Sequence, residues 1–341
     1  MARRNWIIRG FAGLSLGVVA VSAALWAQEP DGPPIKVSVT EVIVPVTVTD
    51  TEDRFVTGLQ KSNFAIYDQN FKQDIKFFTA EHNQPVVVGF LVDLSNGMKI
   101  RWKEYQTSAI EMVLALLPGD PKYSGYLIGY STTADLMVNT TSNSEKLVDK
   151  LNKVTPAGGS ALYDAIYMAC TNRKLVKGEP LEPHRVIVIV GDGHDNNSSH
   201  TLQEVVDLAQ RNLVSIYAMS TDAYGFTSDA GKNLRRLAEE TGGRVEYPLE
   251  NTYDNTQGFL SRPSDDGNYE FKIGTGGYTA KISGALFKSI SAIAGEITTQ
   301  YILRYQPNTP GDESAVHKIQ VKVDLPNVKV RARPTYHLET P

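Results

Sequence analysis

The sequence predicts an α/β fold: a doubly wound, mostly parallel sheet inserted in a small β-rich, sandwich-like domain. Three observations carry that expectation. Four short, nearly continuous apolar runs lie between residues 85 and 222: PVVVGFLVDLS, YSGYLIGYS, HRVIVIVGD and VSIYAMST. Segments with apolar residues at helical spacing separate them. Pieces with strand character flank this region on both sides, at residues 35–80 and 299–338.

Each element has a physical reason. In VSVTEVIVPVTVTD, Val37 and Val39 share one phase, and Val42, Val44, Val46 and Val48 share the other. Period-two alternation is the mark of a strand with one buried face. The phase slips at Thr40–Glu41, which fits a bulge or a short break. Pro45 cannot donate to a ladder, so it is expected at an edge or a bulge. Phe55–Val56, Phe64–Tyr67 and Ile75–Phe78 follow as further short strand pieces. The four central runs suit strands covered on both faces, as in a parallel sheet. Between them, Leu162, Ala165, Ile166, Ala169 and Cys170 share one helical face, as do Leu202, Val205, Val206 and Ala209. Thr201 with Glu204 reads as a capping box. Asp229 is expected to cap a helix carrying Leu234, Leu237 and Ala238 and stopping at Gly242–Gly243. Strands alternating with helices imply right-handed crossovers and an open sheet.

Residues 251–278 are rich in Asn, Asp, Ser, Gly and Thr. They are read as a loop insertion within an α/β domain spanning 85–298. GTGGY at 274–278 lacks a preceding buried strand and is read as part of that loop. Helical spacing resumes from Ile282 to Ile297. YILRYQ, HKIQVKVDL and VKVRARPTY then return to the character of the first flank. Residues 299–338 are therefore expected to pair with 35–80 in one domain that the other interrupts, an arrangement eased when chain ends lie close together.

The 341 residues are 41% hydrophobic and 21% charged, which is ordinary globular composition and excludes collagen-like, coiled-coil or wholly disordered chains. A mean hydropathy of -0.24 and a single long apolar run exclude a polytopic membrane protein. One cysteine, Cys170, excludes an internal disulfide framework and a Cys-based zinc cluster. It sits on an apolar helical face and is expected to be a small buried hydrophobe. A formal charge of -4 leaves no electrostatic footprint for nucleic acid. Residues 1–27 join Arg3, Arg4 and Arg9 to an uncharged, mostly apolar stretch from Phe11 to Trp26. They read as a secretory signal peptide, with an uncleaved N-terminal anchor as the alternative. Their removal leaves 31 bases against 38 acids, a balance of -7. The expected location is outside the cytoplasm: periplasm, cell envelope or secreted, with membrane contact only through an uncleaved N-terminal segment.

The chemistry lies where polar residues meet strand ends. VVVGFLVDLSNGM ends a buried run in Asp93, then Ser95 and Gly97. HRVIVIVGDGHDN ends another in Asp192, and AGGSALYDAI puts Ser160 at a glycine turn that opens a helix. An apolar strand has no packing reason to finish in a carboxylate, whereas ligands of open α/β sheets bind outside the carboxyl ends of the strands. Asp93, Ser95, Ser160 and Asp192 are hard oxygen donors. They suit Mg²⁺, which keeps several waters in an octahedral shell, with Mn²⁺ or Ca²⁺ as the other candidates. Asn96, Gly97, Gly159, His194 and Asp195 are the expected rim of a ligand-binding face.

In this order and context, Asp93-Leu94-Ser95-Asn96-Gly97, GGSALYDA and VIVGDGHD resemble the metal-ion-dependent adhesion site of von Willebrand factor type A domains. That pattern is Asp-x-Ser-x-Ser, then a distant Thr, then an Asp. The resemblance covers roughly residues 85–250. VIVPVTVTD, GLQKSNFAIYDQN and QYILRYQP extend it to bacterial exported proteins in which such a domain is embedded in β-segments. It implies that Asp93 contacts the metal directly or through water, that Ser95 and Ser160 are hydroxyl ligands, and that Asp192 acts through water. It also implies an open position filled by a carboxylate of a partner protein. Gly97 stands where the family has a hydroxyl, and Ser160 where it has Thr, so the site is degenerate and its metal binding is expected to be weak or lost. The expected function is Mg²⁺-assisted protein binding or adhesion without catalysis. The alternatives are a structural envelope module with a vestigial site, and a metal-dependent hydrolase with His194 or Asp195 as base.

Overall fold

A computed structural model describes residues 41–80, 85–172, 175, 183–221, 228–248, 275–308 and 316–337, all within the unit Val39–Pro341. The expected signal segment, residues 35–40 and the 251–274 portion of the expected loop lie outside the described residues. The chain opens with β1 (Val42–Thr49), β2 (Phe64–Asp68), β3 (Phe71–Gln73) and β4 (Ile75–Thr79). Then come β5 (Val86–Asp93), α1 (Trp102–Leu116), β6 (Tyr123–Tyr130), β7 (Ala134–Thr141), α2 (Ser144–Leu151) and α3 (Leu162–Thr171). They are followed by β8 (His184–Gly191), α4 (Leu202–Arg211), β9 (Ser215–Ser220), α5 (Asp229–Thr241) and β10 (Val245–Glu246). The last elements are α6 (Thr275–Thr299), β11 (Tyr301–Tyr305), β12 (Val316–Val323), β13 (Lys329–Ala332) and β14 (Thr335–His337).

The central sheet runs β10-β9-β8-β5-β6-β7, parallel throughout except for β7. Every residue of β5 is buried. Val86, Val88, Phe90 and Val92 face one side, where Met112 of α1, Leu147 of α2 and Ile293 of α6 pack. Val87 and Leu91 face the other, against Ile166 of α3, Val206 of α4 and Leu237 of α5. Helices thus cover both faces, and each buried Val, Leu or Ile contributes roughly 1.5–3 kcal/mol over its exposed state. The chain leaves β5 toward β6 and leaves β8 toward β9 on the other side. The strand order therefore reverses at the β5/β8 boundary, the crevice-forming point of this architecture.

β1–β4 and β11–β14 build two four-stranded sheets, ordered β13-β1-β11-β4 and β14-β12-β2-β3. Their pairings are antiparallel, with Val42 opposite Tyr305 and Ile319 opposite Asp68. Val44, Phe64, Ile66, Leu303 and Ile319 fill the space between the sheets. β1 differs from the one-faced strand its alternation predicts: Ile43 and Thr47 on the opposite phase are buried too. The cause is α6, whose Glu296 is fully buried and accepts from the Thr47 hydroxyl at 3.0 Å and from the Tyr217 hydroxyl of β9 at 3.1 Å. Arg244 and Arg331 pair with the other oxygen of the same carboxylate. Pro45 lies in an inner strand, but β13 covers only Val46–Thr49, so β1 has a ladder on one side alone at Pro45.

Two boundaries differ from expectation. α6 begins at Thr275, so residues 275–278 are helix, not loop. Thr275, Gly276 and Gly277 are weak helix formers, and the helix is carried by Leu286, Ile290, Ile293 and Ile297 packed on the sheet. α5 is capped by Ser228, not Asp229: the Ser228 hydroxyl accepts from the Gly231 nitrogen at 2.9 Å. Asp229 is instead the first helical residue, where its charge faces the positive end of the helix dipole. The capping box of α4 is present, with the Thr201 nitrogen donating to Glu204 at 2.7 Å. Among the described residues no helix is long and apolar enough to cross a membrane.

Candidate functional site

Asp93 is the last residue of β5, and Asp192 follows the last residue of β8. The two strands are adjacent and in register, so both carboxylates leave the sheet at the same edge. The closeness is tight. A Cβ built on Gly191 would lie 3.3 Å from Asp93 Oδ2, and the Tyr130 hydroxyl closes the same space. Asp93 is 1% exposed. Its Oδ1 accepts from the Ser95 nitrogen at 2.7 Å, while Oδ2 has no hydrogen-bond partner and is sealed from solvent. Burial first, and then the charge of Asp192, push the Asp93 carboxyl up to about 7 against the pull of the Ser95 hydrogen bonds and of His194. A buried carboxylate beside a second carboxylate is the electrostatic setting that a cation relieves.

The third loop is laced to the other two. The Ala157 nitrogen donates to the Leu94 carbonyl at 2.6 Å, and the Asn96 nitrogen donates to the Gly158 carbonyl at 3.0 Å. Ser160 is 3% exposed. Its nitrogen donates to Asn196 Oδ1 at 2.8 Å, its carbonyl accepts from the Asn196 and Asn197 nitrogens, and its hydroxyl donates to the His194 carbonyl at 2.7 Å. Gly159 is pressed beneath the Asn196 and Asn197 side chains, where any Cβ would collide. Asp93, Ser95 and Asp192 are thus brought close together, and Ser160 stands on a third loop that hydrogen bonds tie to theirs, with its hydroxyl engaged by the His194 carbonyl.

Gly97 opens the short 3₁₀ segment Asn96–Arg101 together with Asn96. A Cβ on Gly97 would lie 3.5 Å from Asp192 Oδ2 and 3.6 Å from the Ser95 hydroxyl. Those distances place Gly97, Ser95 and Asp192 around one small space. The donors fit a hard divalent cation by their chemistry: an unpartnered buried carboxylate oxygen, a second carboxylate and serine hydroxyls. Among the described residues no group of three or more His, Cys, Asp and Glu is arranged to hold a metal, so a cation here would have to rely on hydroxyls and water beside the two carboxylates.

The rim residues divide. Asn96, Gly97 and His194 are at the surface, and His194 Nδ1 lies 3.1 Å from Asp192 Oδ2. Asp195 has another task. Its Oδ2 accepts from the Tyr163 nitrogen at 2.9 Å and from the Ser198 hydroxyl at 2.6 Å, so it satisfies the open N-terminus of α3. A carboxylate committed in this way is poorly placed to serve as a base. Behind it, Asp164 accepts from the Ser199 and His200 nitrogens and fixes the rest of the loop.

The sequence reading passed over the side chains beyond Gly97. Ile100 is 94% exposed, and Lys99 and Lys103 are exposed on either side of it. An apolar side chain this bare, flanked by cations, sits on the segment that carries Gly97. Only the tertiary arrangement marks it out, since the local string NGMKIRWK contains no distinctive motif.

Part of the chain matches a known family. Residues 88–194 match the family model of the von Willebrand factor type A domain. This segment, matched by the type A model, runs from β5 to the loop after β8, and so contains Asp93, Ser95, Ser160 and Asp192 and the five expected rim positions except Asp195. Several solved structures are similar to the chain. BatB from Bacteroides thetaiotaomicron is 18% identical over 62% of this chain and 97% of that one, with a TM-score of 0.35. The vWF domain of the type V pili tip protein Mfa5 from Porphyromonas gingivalis is 13% identical over 53% and 98%, with a TM-score of 0.38. A von Willebrand factor type A structure from Catenulispora acidiphila is 9% identical over 89% and 75%, with a TM-score of 0.42. No curated protein matches the chain.

Proposed function

We propose that the type A segment is a protein-binding module assisted by Mg²⁺, without catalysis, on an exported protein. The observation that carries the reading is the sealed, unpartnered Asp93 Oδ2 beside Asp192, with Ser95 and the open space over Gly97 completing the surround. Asp93, Ser95, Ser160 and Asp192 would hold the ion, with Mn²⁺ or Ca²⁺ as substitutes. The bound ion would supply positive charge that an acidic side chain of a partner protein can complete. The protein itself carries a net charge of -4, so without the ion an acidic partner is repelled in general. Lys99, Ile100 and Lys103 would extend the contact with charge and apolar surface. Export rests on the pattern of residues 1–27, and envelope, periplasm or secretion are all compatible with it.

Titration calorimetry with Mg²⁺ tests the site. The wild type should take up the ion, and Asp93→Ala and Asp192→Ala should not. Equal uptake by all three proteins overturns the assignment. A pull-down from envelope extract in Mg²⁺ and in EDTA then asks whether capture depends on the ion.

One observation favours a second reading. Gly97 brings no hydroxyl to the space that Ser95 and Asp192 surround. In that case the module is structural and binds no metal. A melting temperature unmoved by Mg²⁺ or EDTA, with no calorimetric heat, selects it.

A further inference from the structure

We propose that the protein encloses a small inorganic anion, chloride in size, at the amino-terminal edge of the central sheet, with Arg333 as its principal ligand. The inference does not depend on the metal-site reading, which concerns the opposite edge.

Arg333 joins β13 to β14 and is 1% exposed. Its Nε, Nη1 and Nη2 have no hydrogen-bond partner and no contact with solvent. A guanidinium carries five N–H donors, no acceptor and a permanent charge. A buried charge left alone is strongly destabilising, so native proteins pair such a group. Two neighbours share the deficit. His184, the first residue of β8, is 2% exposed with Nε2 unpartnered, and Ser215, the first residue of β9, is fully buried with its hydroxyl unpartnered.

The fold brings the three together. Ser215 stands opposite Val186, and His184 shares the phase of Val186, so both side chains leave the same face at the same sheet edge. Ser215 precedes Ile216, whose carbonyl abuts Gly243 at the end of α5. Gly242 next to it, at φ +86°, lies so close to the β13–β14 link that a Cβ would come within 2.8 Å of the Arg333 nitrogen. The Arg333 charge is felt at His184, Tyr217 and Tyr305. Burial pushes Arg333 down to about 10, and burial together with Arg333 pushes His184 down to about 3. Arg333 is thus a reluctant cation, and His184 beside it is held neutral.

Among the described residues no carboxylate pairs with Arg333. Glu296, which accepts from Tyr217, is already engaged by Arg244 and Arg331. Gln300 Oε1 is also unpartnered, but it is neutral. A water molecule would satisfy one or two donors and leave the charge unbalanced, whereas a halide accepts several N–H and O–H groups at once and neutralises it. With Arg333, His184 and Ser215 all buried, the occupant must be small.

The experiment is thermal unfolding of the whole protein at constant ionic strength, with chloride replacing gluconate step by step, in the wild type and in Arg333→Met. A bound anion stabilises the folded state by mass action. The wild-type Tm should rise by several degrees and saturate, while R333M should be insensitive to chloride. In bromide-soaked crystals an anomalous peak should lie beside the guanidinium. A chloride-independent wild-type Tm, an equal response in R333M, or a bromide map showing only water at Arg333 overturns the proposal. If R333M does not fold, Ser215→Ala takes its place, and a midpoint in chloride unchanged from wild type counts against the site.

Discussion

Asp164 grips His200 twice: its Oδ1 accepts from the His200 backbone nitrogen at 3.2 Å and lies 2.7 Å from the ring Nδ1. The Ser199 nitrogen also donates to this carboxylate, and the His200 ring stacks on Tyr167 with centroids 3.7 Å apart. Partial burial raises the Asp164 pKa, but the bonds from His200 and Ser199 outweigh it, so the carboxyl titrates below its usual 3.8. A folded-state pKa below the unfolded one gives stability that is present above about pH 3.8 and is lost as pH falls through the lower folded value. Asp164→Asn should cost about 1–3 kcal/mol at pH 7 and progressively less in acid below pH 3.8. Denaturant melts at several pH values check this, and a cost that is the same at pH 7 and at pH 2 counts against it.

Gly97 faces Ser95 and Asp192 with no contact closer than 3.5 Å at the Cβ position. A serine fits there. Gly97→Ser should supply the missing hydroxyl and tighten Mg²⁺ binding roughly tenfold, which is about 1.4 kcal/mol. Calorimetry of G97S beside the wild type decides it, and an unchanged or weaker uptake means that the space does not belong to a metal shell.

Ile100 and its cationic neighbours should matter to the partner and not to the ion. Ile100→Asp, or Lys99→Glu with Lys103→Glu, is expected to leave Mg²⁺ uptake unchanged while reducing partner capture at least tenfold. Buried apolar anchors with charged rims dominate such contacts. Capture that survives both changes moves the docking surface elsewhere.

Cys170 lies on the buried face of α3, and burial pushes its thiol up to about 12. It should resist thiol reagents at pH 8 in the native state and react fully once unfolded. Rapid labelling of native protein would show that α3 opens locally.

The elements legible in the sequence were those with a continuous apolar run or a clear one-faced periodicity. β5 and β8 are continuous apolar runs because helices cover both faces of the sheet. β7 escaped notice because Ala134–Thr141 is half-exposed at the sheet edge, and its string carries neither alternation nor an apolar run. Asp93 and Asp192 stand out in the sequence because a carboxylate at the end of an apolar strand contradicts its context. Asp195 looked equally available, but its task is set by α3, whose first turn lies 32 residues earlier in the chain. Ser228 and Asp229 are both competent caps, and only the backbone geometry chose between them. The burial of Arg333 had no trace in VKVRARPTY, because arginine in such a strand is ordinarily on the outside.

The Glu296 carboxylate draws partners from both ends of the polypeptide: Thr47 near the start, Tyr217 and Arg244 in the middle, and Arg331 near the end. Trimming the gene to residues 85–298 would strand that acid in an oily interior with half its company gone. Anyone transplanting the binding face into another scaffold must carry the outer strands along.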